Sequence, residues 1–259
     1  MSTHQSLQRA IAILREFSES EPALTVGEIS RRLGLHKSTV SRILATLLED
    51  AMVWHNPETG RYSLGMTLVE MAGVALGQID VRAAAMPHME RLAAETNETI
   101  SVAVLRDRDA VIVAHLPSTH SIRHVLWIGR RLPLRTTATG IALLAGMTAG
   151  SEEWRSLIGT AGEEGPAESE AILEGDLASV AQRGFVEETG KFEIGTAAIA
   201  APVLDHTGAA IAAISISGPG ARFDAETRAA AAPLLIETAN AIATDLDIHH
   251  PTDLAGSHR

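Results

Sequence analysis

Residues 25–48 hold two short helical patterns with a tight turn between them. Thr25, followed three residues later by Glu28, predicts a capping box at the start of the first helix. Gly34 is placed to end that helix in a left-handed turn. The second helix has an apolar stripe at helical spacing, formed by Val40, Ile43, Leu44, Leu47 and Leu48. The pattern therefore predicts two short helices that pack across a tight turn.

The other face of the second helix is polar and basic, and its members are Ser38, Ser41, Arg42 and Thr46. Such a helix after a tight turn is typical of a helix-turn-helix, whose second helix enters the major groove of DNA. A preceding helix is predicted to be capped by Ser6. Its inward positions at helical spacing are Leu7, Ala10, Ile11, Leu14 and Phe17. The alternative is a plain three-helix bundle with solvated charges.

Two β-rich segments follow, AMVWH and RYSLG, on either side of a turn that contains Pro57 and Gly60. They predict a two-stranded wing, from which His55 and Arg61 can reach phosphate or the minor groove. We therefore predict a winged helix-turn-helix domain over residues 1–64. Its predicted DNA-binding residues are Lys37, Ser38, Thr39, Ser41, Arg42 and Arg61.

The net charge of −11 does not argue against DNA once the chain is divided at Leu64. Up to that residue seven basic side chains balance seven acidic ones, so the whole excess of negative charge lies downstream. Within the first part Arg31, Arg32, Lys37 and Arg42 fall together, which allows a local basic face. The chain has no cysteine, which excludes disulfides and thiolate metal sites.

Several long segments resemble the IclR family of bacterial transcriptional regulators. They are SLQRAIAILREF, LTVGEISRRLGLHKSTVSRILATLLEDAMV, ETGRYSLG, LPLRTTATGIALLAG, GFVEETGKFEIGTAAIAAPVLDHTG and AAISISGPGARF. They cover most of the chain in order. The resemblance implies a winged helix-turn-helix, a linker helix over residues 65–80, and a GAF-like domain over residues 81–250 that binds a small effector. Residues 251–259 are predicted to be a disordered tail.

Patterns in the second half independently predict an α+β domain. The linker pattern has an apolar stripe, Leu68, Met71, Ala72, Ala75 and Ile79, that can pack on a partner protomer or on its own domain. Asp80 is expected to cap the next helix, in which Pro87 predicts a kink or an early start. Predicted strands are TISVAVL, AVIVAHL, RHVLWI, TAAIAAPVL and AAIAAISIS, and predicted helices span 138–147, 168–183 and 224–247. The helices are expected on one face of the sheet.

Three kinds of reactive site are weighed and set aside. His115, His120 and His124 lack a carboxylate partner and metal-ligand spacing, so we expect no metal. The GFVEETGK segment has the wrong spacing for a phosphate loop, and Phe192 replaces the required hydroxyl. No serine elbow or cysteine nucleophile is present. We therefore expect neither catalysis nor a cofactor.

The resemblance also implies where an effector binds. On this sequence the matching positions are Ala138, Thr139, Glu188, Ala198, Ser215 and Ser217. Ser215 and Ser217 are two apart in a predicted strand, so their hydroxyls share a face. The alternative is that neighbouring backbone satisfies both hydroxyls. The helix start near Ala138 suits a carboxylate. Ala198, Glu188 and Ile141 depart from the common cysteine, aspartate and lysine, so the ligand cannot be copied from a relative.

These features predict a cytoplasmic regulator that binds double-stranded operator DNA, responds to a small organic acid, preferably a hydroxy acid, and controls a catabolic or transport operon. It is expected to act as a dimer or tetramer and not at a membrane. Two alternatives remain open at this point: an enzyme built on a sensor-like domain, and a DNA-binding protein that ignores small molecules. The sequence does not distinguish repression from activation.

Overall fold

A computed structural model of the chain describes residues 3–18, 20–77, 79–147, 152–158 and 170–249. The predicted tail at 251–259 lies outside these residues. The chain divides into two compact units, Met1–Gln78 and Ile79–Arg259. No helix within the described residues is long and apolar enough to cross a membrane.

The first unit combines short helices with a small antiparallel sheet. In chain order its elements are α1 Thr3–Arg15, β1 Ala23–Thr25, α2 Val26–Leu33, α3 Lys37–Glu49, β2 Val53–Asn56, β3 Arg61–Leu64 and α4 Met66–Gly77. The sheet order is β1-β3-β2. The predicted helix-turn-helix corresponds to α2 and α3, and the predicted wing to β2 and β3. The sequence did not predict β1, a three-residue strand that pairs with β3.

Local signals at the ends of α2 have the predicted effect. The Thr25 hydroxyl accepts a hydrogen bond from the Glu28 N–H at 3.2 Å, and Glu28 Oε2 accepts one from the Thr25 N–H at 2.7 Å. This reciprocal capping box satisfies two N–H groups that a helix start leaves without partners. Gly34 ends the helix at φ 62°, in the left-handed region that favours glycine.

Three predictions about the helices of the first unit are wrong. The helix α1 begins at Thr3, so Ser6 lies inside it and is not its cap. The side chains of Leu7 and Ile11 are 61% and 44% exposed, whereas Ile13 is fully buried. Leu48 on α3 is also exposed, at 40%. The reason is that a small core lies under one narrow side of each helix: its members are Ile13, Leu24, Ile29, Val40, Leu44, Leu47 and Val53.

The second unit is built on a six-stranded antiparallel sheet of order β6-β5-β4-β9-β8-β7. Its strands are β4 Thr99–Arg106, β5 Asp109–Leu116, β6 Arg131–Pro133, β7 Val186–Thr189, β8 Thr196–Leu204 and β9 Ala210–Pro219. Its helices are α5 Asp80–Thr96, α6 Ala138–Leu143, α7 Glu152–Ile158, α8 Glu170–Arg183 and α9 Ala225–His249. The α+β class is confirmed.

Helices cover both faces of this sheet, so the prediction of helices on one face is wrong. One apolar cluster joins the sheet to α5 and α9, and another joins it to α6, α7 and α8. The cause is visible in β8, where the neighbouring residues Ile199 and Ala200 point to opposite faces and are both fully buried. A strand that is apolar on both sides needs cover on both sides.

Other differences concern single segments. Residues 123–128, predicted as a strand, are irregular, and the edge strand is β6 instead. A side chain takes the place of strand pairing there, because the Thr99 hydroxyl donates to the His124 carbonyl at 3.0 Å. Asp80 is the first residue of α5 and does not cap it, and α5 continues through Pro87. The elements β7 and α7 were not predicted.

Candidate functional sites

The polar face of α3 is open to solvent in the first unit. Lys37, Ser38, Ser41 and Arg42 are exposed, and Thr39 is half-buried. Among the described residues, neither Lys37 nor Arg42 forms an ion pair. An exposed cation with no partner keeps its full capacity to bind an anion. Five of the six predicted DNA-binding residues therefore lie together at the start of one helix.

A histidine that sequence reasoning missed holds the first turn of this helix. His36 is the N-cap of α3, and its Nδ1 accepts a hydrogen bond from the Ser38 N–H at 3.3 Å. The same nitrogen lies 2.7 Å from the Ser38 hydroxyl. Histidine is an unusual cap, because serine, threonine, aspartate and asparagine lead at this position. The cap orients Ser38 and leaves Ser41 and Arg42 free to bind outward.

A groove between α1 and α3 adds a second missed residue. Its polar lining consists of Ser6, Arg9, Thr39, Arg42 and Thr46. The two guanidinium groups of Arg9 and Arg42 thus border one depression, and the described part of the chain gives neither of them an ion-pair partner. A groove with two cations and three hydroxyls suits a phosphate. In the sequence, Arg9 stands next to Ala10 in a helical pattern. That it borders this groove becomes apparent only from the packing of α1 against α3.

Arg61 begins β3 beside the turn of the wing, as predicted, and its side chain also has partners within the first unit. Its guanidinium donates to the Ala23 carbonyl at 2.7 Å and to the Glu28 carboxylate at 3.3 Å. Hydrogen bonds from Thr25, its backbone N–H above all, lower the pKa of Glu28, and Arg61 lowers it further. Arg61 therefore ties β3 to the start of α2. Its side chain is still 42% exposed, and its contact with DNA stays a prediction.

In the second unit, strand register brings four of the six predicted effector residues onto one face of the sheet. Glu188 pairs with Ala198, and Ala198 pairs with Ser217. Ser217 in turn pairs with Thr99 on its other side. Residues opposite each other across antiparallel strands share a face, as do residues two apart, which adds Ser215.

A second row of residues on the same face, which we call the outer row, runs across the strands through Ser215. It pairs with Ser101 on β4, and Ser101 pairs with His115 on β5. Four hydroxyl side chains thus lie side by side on adjacent strands, all of them buried. We call this set the hydroxyl face; it consists of Thr99, Ser101, Ser215 and Ser217. Sequence reasoning found only its β9 half, because pairing between β4 and β9 joins residues more than a hundred positions apart.

The two predicted serines already have side-chain partners. Ser215 Oγ lies 2.8 Å from Ser101 Oγ, and Ser217 Oγ lies 2.9 Å from His124 Nδ1. Their hydroxyls are therefore satisfied by other side chains, not by neighbouring backbone. A ligand on this face must exchange with, or add to, these hydrogen bonds.

The remaining predicted residues are also buried, with Glu188 and Thr139 near 4% and 5% exposed and Ala138 near 1%. Glu188 Oε1 accepts hydrogen bonds from the N–H groups of Lys191 and Phe192, so the carboxylate holds the turn after β7. At the start of α6, the Thr137 hydroxyl accepts from the Gly140 N–H at 3.0 Å. The helix thus offers fewer free N–H groups than the sequence suggested.

Two of the three histidines considered for a metal border the hydroxyl face, and the third, His120, does not. His120 Nε2 lies 3.3 Å from Asn97 Nδ2, His124 contacts the hydroxyl face, and His115 lies at the end of its outer row. Across the described ranges, no three His, Asp or Glu side chains converge as metal ligands. Burial, above all, lowers the pKa of both His115 and His124.

Comparison with known proteins agrees with both units. Residues 6–56 match the model of the IclR helix-turn-helix domain, and residues 73–244 match that of the bacterial transcriptional regulator IclR C-terminal. The HTH-type transcriptional regulator XynR of Escherichia coli (strain K12) is 33% identical over 217 residues, which cover 82% of this chain and 85% of XynR.

Solved structures agree over nearly the full length. An IclR transcriptional regulator from Alicyclobacillus acidocaldarius has a TM-score of 0.79 and 25% identity, covering 93% of this chain and 98% of its own. An IclR homolog from Microbacterium hydrocarbonoxydans, solved in complex with 4-hydroxybenzoate, has a TM-score of 0.77 and 27% identity, with 94% and 99% covered. These relatives are regulators and homologs of regulators, not enzymes. The chain therefore belongs to the IclR family of bacterial transcriptional regulators.

Proposed function

We propose that this regulator reads double-stranded operator DNA with the exposed face of α3. The proposed contacts are Lys37, Ser38, Thr39, Ser41 and Arg42, with Arg9 as an added phosphate contact. The observation that carries the proposal is that Lys37 and Arg42 are exposed and lack ion pairs among the described residues, at the start of the second helix of a helix-turn-helix. Arg61 remains a proposed phosphate contact from the wing, because its side chain is 42% exposed although it pairs with Glu28.

Selection from a library of genomic fragments tests this proposal. The purified protein should enrich sites with approximate two-fold symmetry, since one helix and one wing contact too few base pairs for specific binding. We expect the enriched sites to lie beside catabolic or transport genes. Enrichment of no common sequence, at salt concentrations where binding is still measurable, would contradict the proposal.

We also propose that a small organic acid with a hydroxyl group binds on the hydroxyl face and changes operator binding. Buried hydroxyls can both donate to a carboxylate and accept from a ligand hydroxyl, which favours a ligand that has both groups. Ala138, Thr139 and Ala198 would contribute apolar wall. The Microbacterium relative in complex with 4-hydroxybenzoate supports this ligand class.

Calorimetry with matched ligands tests the effector. The first set is 4-hydroxybenzoate, benzoate and 4-hydroxybenzamide, which separate the contributions of the carboxylate and the hydroxyl; short aliphatic hydroxy acids form the second set. We expect an acid to bind best, to alter operator affinity, and to bind less well to a Ser215→Ala, Ser217→Ala variant. If a neutral compound binds best, or if the variant binds the best acid unchanged, this pocket chemistry is wrong.

Self-association is proposed from α4, because this helix exposes large apolar side chains along its length. They are Met66, Val69, Met71 and Val74, each between 57% and 67% exposed. Such a surface in a soluble protein marks an interaction site, and two-fold pairing suits a symmetric operator. Sedimentation should show a dimer or tetramer at micromolar concentration. Replacement of Val69 and Val74 by Ser should weaken the assembly, and a wild-type monomer with and without operator would contradict it.

A further inference from the structure

An unsatisfied histidine lies at the end of the outer row of the hydroxyl face. His115 stands opposite Ser101 in the β4–β5 register, and its Nε2 is buried. No residue that the structure describes provides this nitrogen with a hydrogen-bond partner. A buried polar atom without a partner costs free energy. The position of His115 Nε2 beside four buried hydroxyls therefore calls for an explanation.

His124, in the irregular segment 123–130, is a second histidine that reaches the same face. Its Nδ1 lies 2.9 Å from Ser217 Oγ, and its Nε2 lies 3.2 Å from Glu193 Oε2, close enough for attraction but without the alignment of a hydrogen bond. Glu193 also forms an ion pair with Arg130. The guanidinium of Arg130 lies over the ring of Trp127, 4.6 Å from its centre. These contacts hold the His124 ring in one orientation.

Glu193 determines which ring nitrogen of His124 donates a hydrogen bond and which one accepts. The Glu193 carboxylate, which pairs with Arg130, lies beside Nε2 of His124, and this position favours the tautomer with its proton on Nε2. Nδ1 is then an acceptor, and the Ser217 hydroxyl donates to it. Ser217 consequently presents only oxygen lone pairs to anything else on this face, and a ligand must donate to it.

The outer row has the opposite character. Within the Ser101–Ser215 pair one hydroxyl donates to the other, and the second hydroxyl keeps its proton available. His115 adds an imidazole whose Nε2 is unused. Burial lowers the pKa of His115 most, and the nearby His124, when it is protonated, and Arg123 lower it further. For His124 burial again lowers the pKa most, Glu193 opposes this, and Arg130 adds to it. In the free protein, burial therefore disfavours the imidazolium form of both rings.

We propose that His115, with the free hydroxyl of the Ser101–Ser215 pair, binds the anionic group of the effector, and that Ser217, held by His124, accepts a hydrogen bond from the effector's hydroxyl. This inference rests on the proposed effector function and specifies its ligand. Ser215 and Ser217 are two residues apart, roughly 6.8 Å along the strand. His115 lies on β5, two strands away from β9, so this spacing along β9 is only one component of the separation between the two groups. The effector is therefore a hydroxy acid whose anionic group and hydroxyl bind at different rows of the hydroxyl face.

An anion beside His115 also changes its protonation. The negative charge favours the imidazolium form, so binding takes up protons at pH values between the pKa of His115 in the free protein and its higher pKa in the complex. Because the complex holds more protons than the free protein, affinity rises as the pH falls. His124 contributes less to this uptake, since Glu193 and Arg130 already set its surroundings.

The test uses the full chain with 4-hydroxybenzoate, benzoate and 4-hydroxybenzamide. Calorimetry in two buffers of different ionisation enthalpy measures proton uptake, and NMR of the histidine side-chain nitrogens follows each ring. We expect 4-hydroxybenzoate to bind best, with proton uptake and a shift of the His115 resonances. His115→Gln should lose about tenfold or more in affinity for both acids. His120→Gln, the matched control, should bind like the wild type because His120 pairs with Asn97.

The outcomes separate this inference from the proposed function. If 4-hydroxybenzoate binds in a Ser217-dependent way while the His115 resonances stay still and no proton is taken up, the role of His115 is refuted and the effector site stands. If neither aromatic acid binds, whereas an aliphatic hydroxy acid binds with proton uptake and a shift of the His115 resonances, the role of His115 is supported with that acid as the ligand. If no acid binds at all, both proposals fail. The wild-type NMR result decides the point even if His115→Gln does not fold.

Discussion

The two polar surfaces of this regulator differ in how their hydrogen-bonding groups are occupied. On α3, Ser41 and Arg42 are exposed, and Arg42 has no ion-pair partner among the described residues. On the hydroxyl face, Ser215 and Ser217 are about 2–3% exposed, and each has a side-chain partner. A surface of the first kind is ready for a polymer of phosphates. A surface of the second kind binds only a ligand that makes hydrogen bonds in place of those it breaks. This requirement gives specificity for a small molecule.

The largest expected effect is on the exposed surface. Arg42→Ala should weaken specific operator binding by about 1–3 kcal/mol, roughly 10- to 100-fold, since a guanidinium contact to guanine or phosphate is lost. Its thermal unfolding should not change, because the side chain supports nothing in the fold. Fluorescence anisotropy across a salt series measures the affinity. Arg106→Ala, which removes an equal charge from the second unit, is the control; operator binding by Arg42→Ala at wild-type strength would refute the placement of α3.

A pair of serine replacements compares the two surfaces directly. Ser215→Ala should destabilise the second unit by about 1 kcal/mol, because the buried Ser101 hydroxyl loses its partner. Ser41→Ala should leave stability within about 0.5 kcal/mol and affect DNA binding instead. Denaturant unfolding of both variants gives the two values. Equal stability losses would mean that the hydroxyl pair is not a buried interaction.

The pH dependence of stability should differ between the two units. Since burial lowers the folded-state pKa of His115 and His124, the unfolded chain binds more protons below about pH 6.5, and the free energy of unfolding of the second unit falls as the pH drops from there. In the first unit, Thr25 lowers the pKa of Glu28, so this carboxylate stabilises the fold at neutral pH and loses its effect only below about pH 4.5.

Differential scanning calorimetry between about pH 7 and pH 4 checks this order. The transition of the second unit should move to lower temperature first, and His115→Gln should reduce that movement. Glu28→Gln should destabilise the first unit at neutral pH and approach the wild type in acid. If the unfolding transitions of both units move to lower temperature over the same pH range in all variants, the predicted difference between the two units is wrong.

The smallest expected effect concerns Leu48, which the apolar stripe of α3 placed inward and the structure leaves 40% exposed. Leu48→Gln should change the free energy of unfolding by no more than about 0.5 kcal/mol. Urea unfolding of the operator-free protein measures it. A loss of about 2 kcal/mol or more would restore the predicted stripe and extend the core toward this end of the helix.

What the sequence could predict depended on the range of the interactions. The capping box at Thr25, the turn at Gly34 and the hairpin before Ala210 are local, and all are present. The same holds for the exposure of Ser41 and Arg42, which follows from the period of one helix. The strand predicted at 123–128 failed because side-chain bonds from Thr99 and Ser217 fix that segment, and no local pattern reports them.

The proposed effector site shows the same limit. Ser215 and Ser217 were predicted from the family resemblance and from their spacing of two residues in one strand. Ser101, His115 and His124 were missed as neighbours of these serines, since only sheet register and a folded-back segment bring them there. The histidines were considered together for a metal because they are near each other in sequence; His115 and His124 do border the same face, whereas His120 pairs with Asn97. The fold class, by contrast, followed from alternation of short local patterns.

Arg61 determines how the DNA-reading unit can respond to a signal. Its guanidinium spans the wing strand, the carbonyl of Ala23 and the carboxylate that caps α2. One side chain therefore links the wing to the helix-turn-helix and resists a change in the angle between them. If the effector acts on a dimer, as proposed above, we expect it to change the preferred spacing of half-sites more than the bases preferred within each.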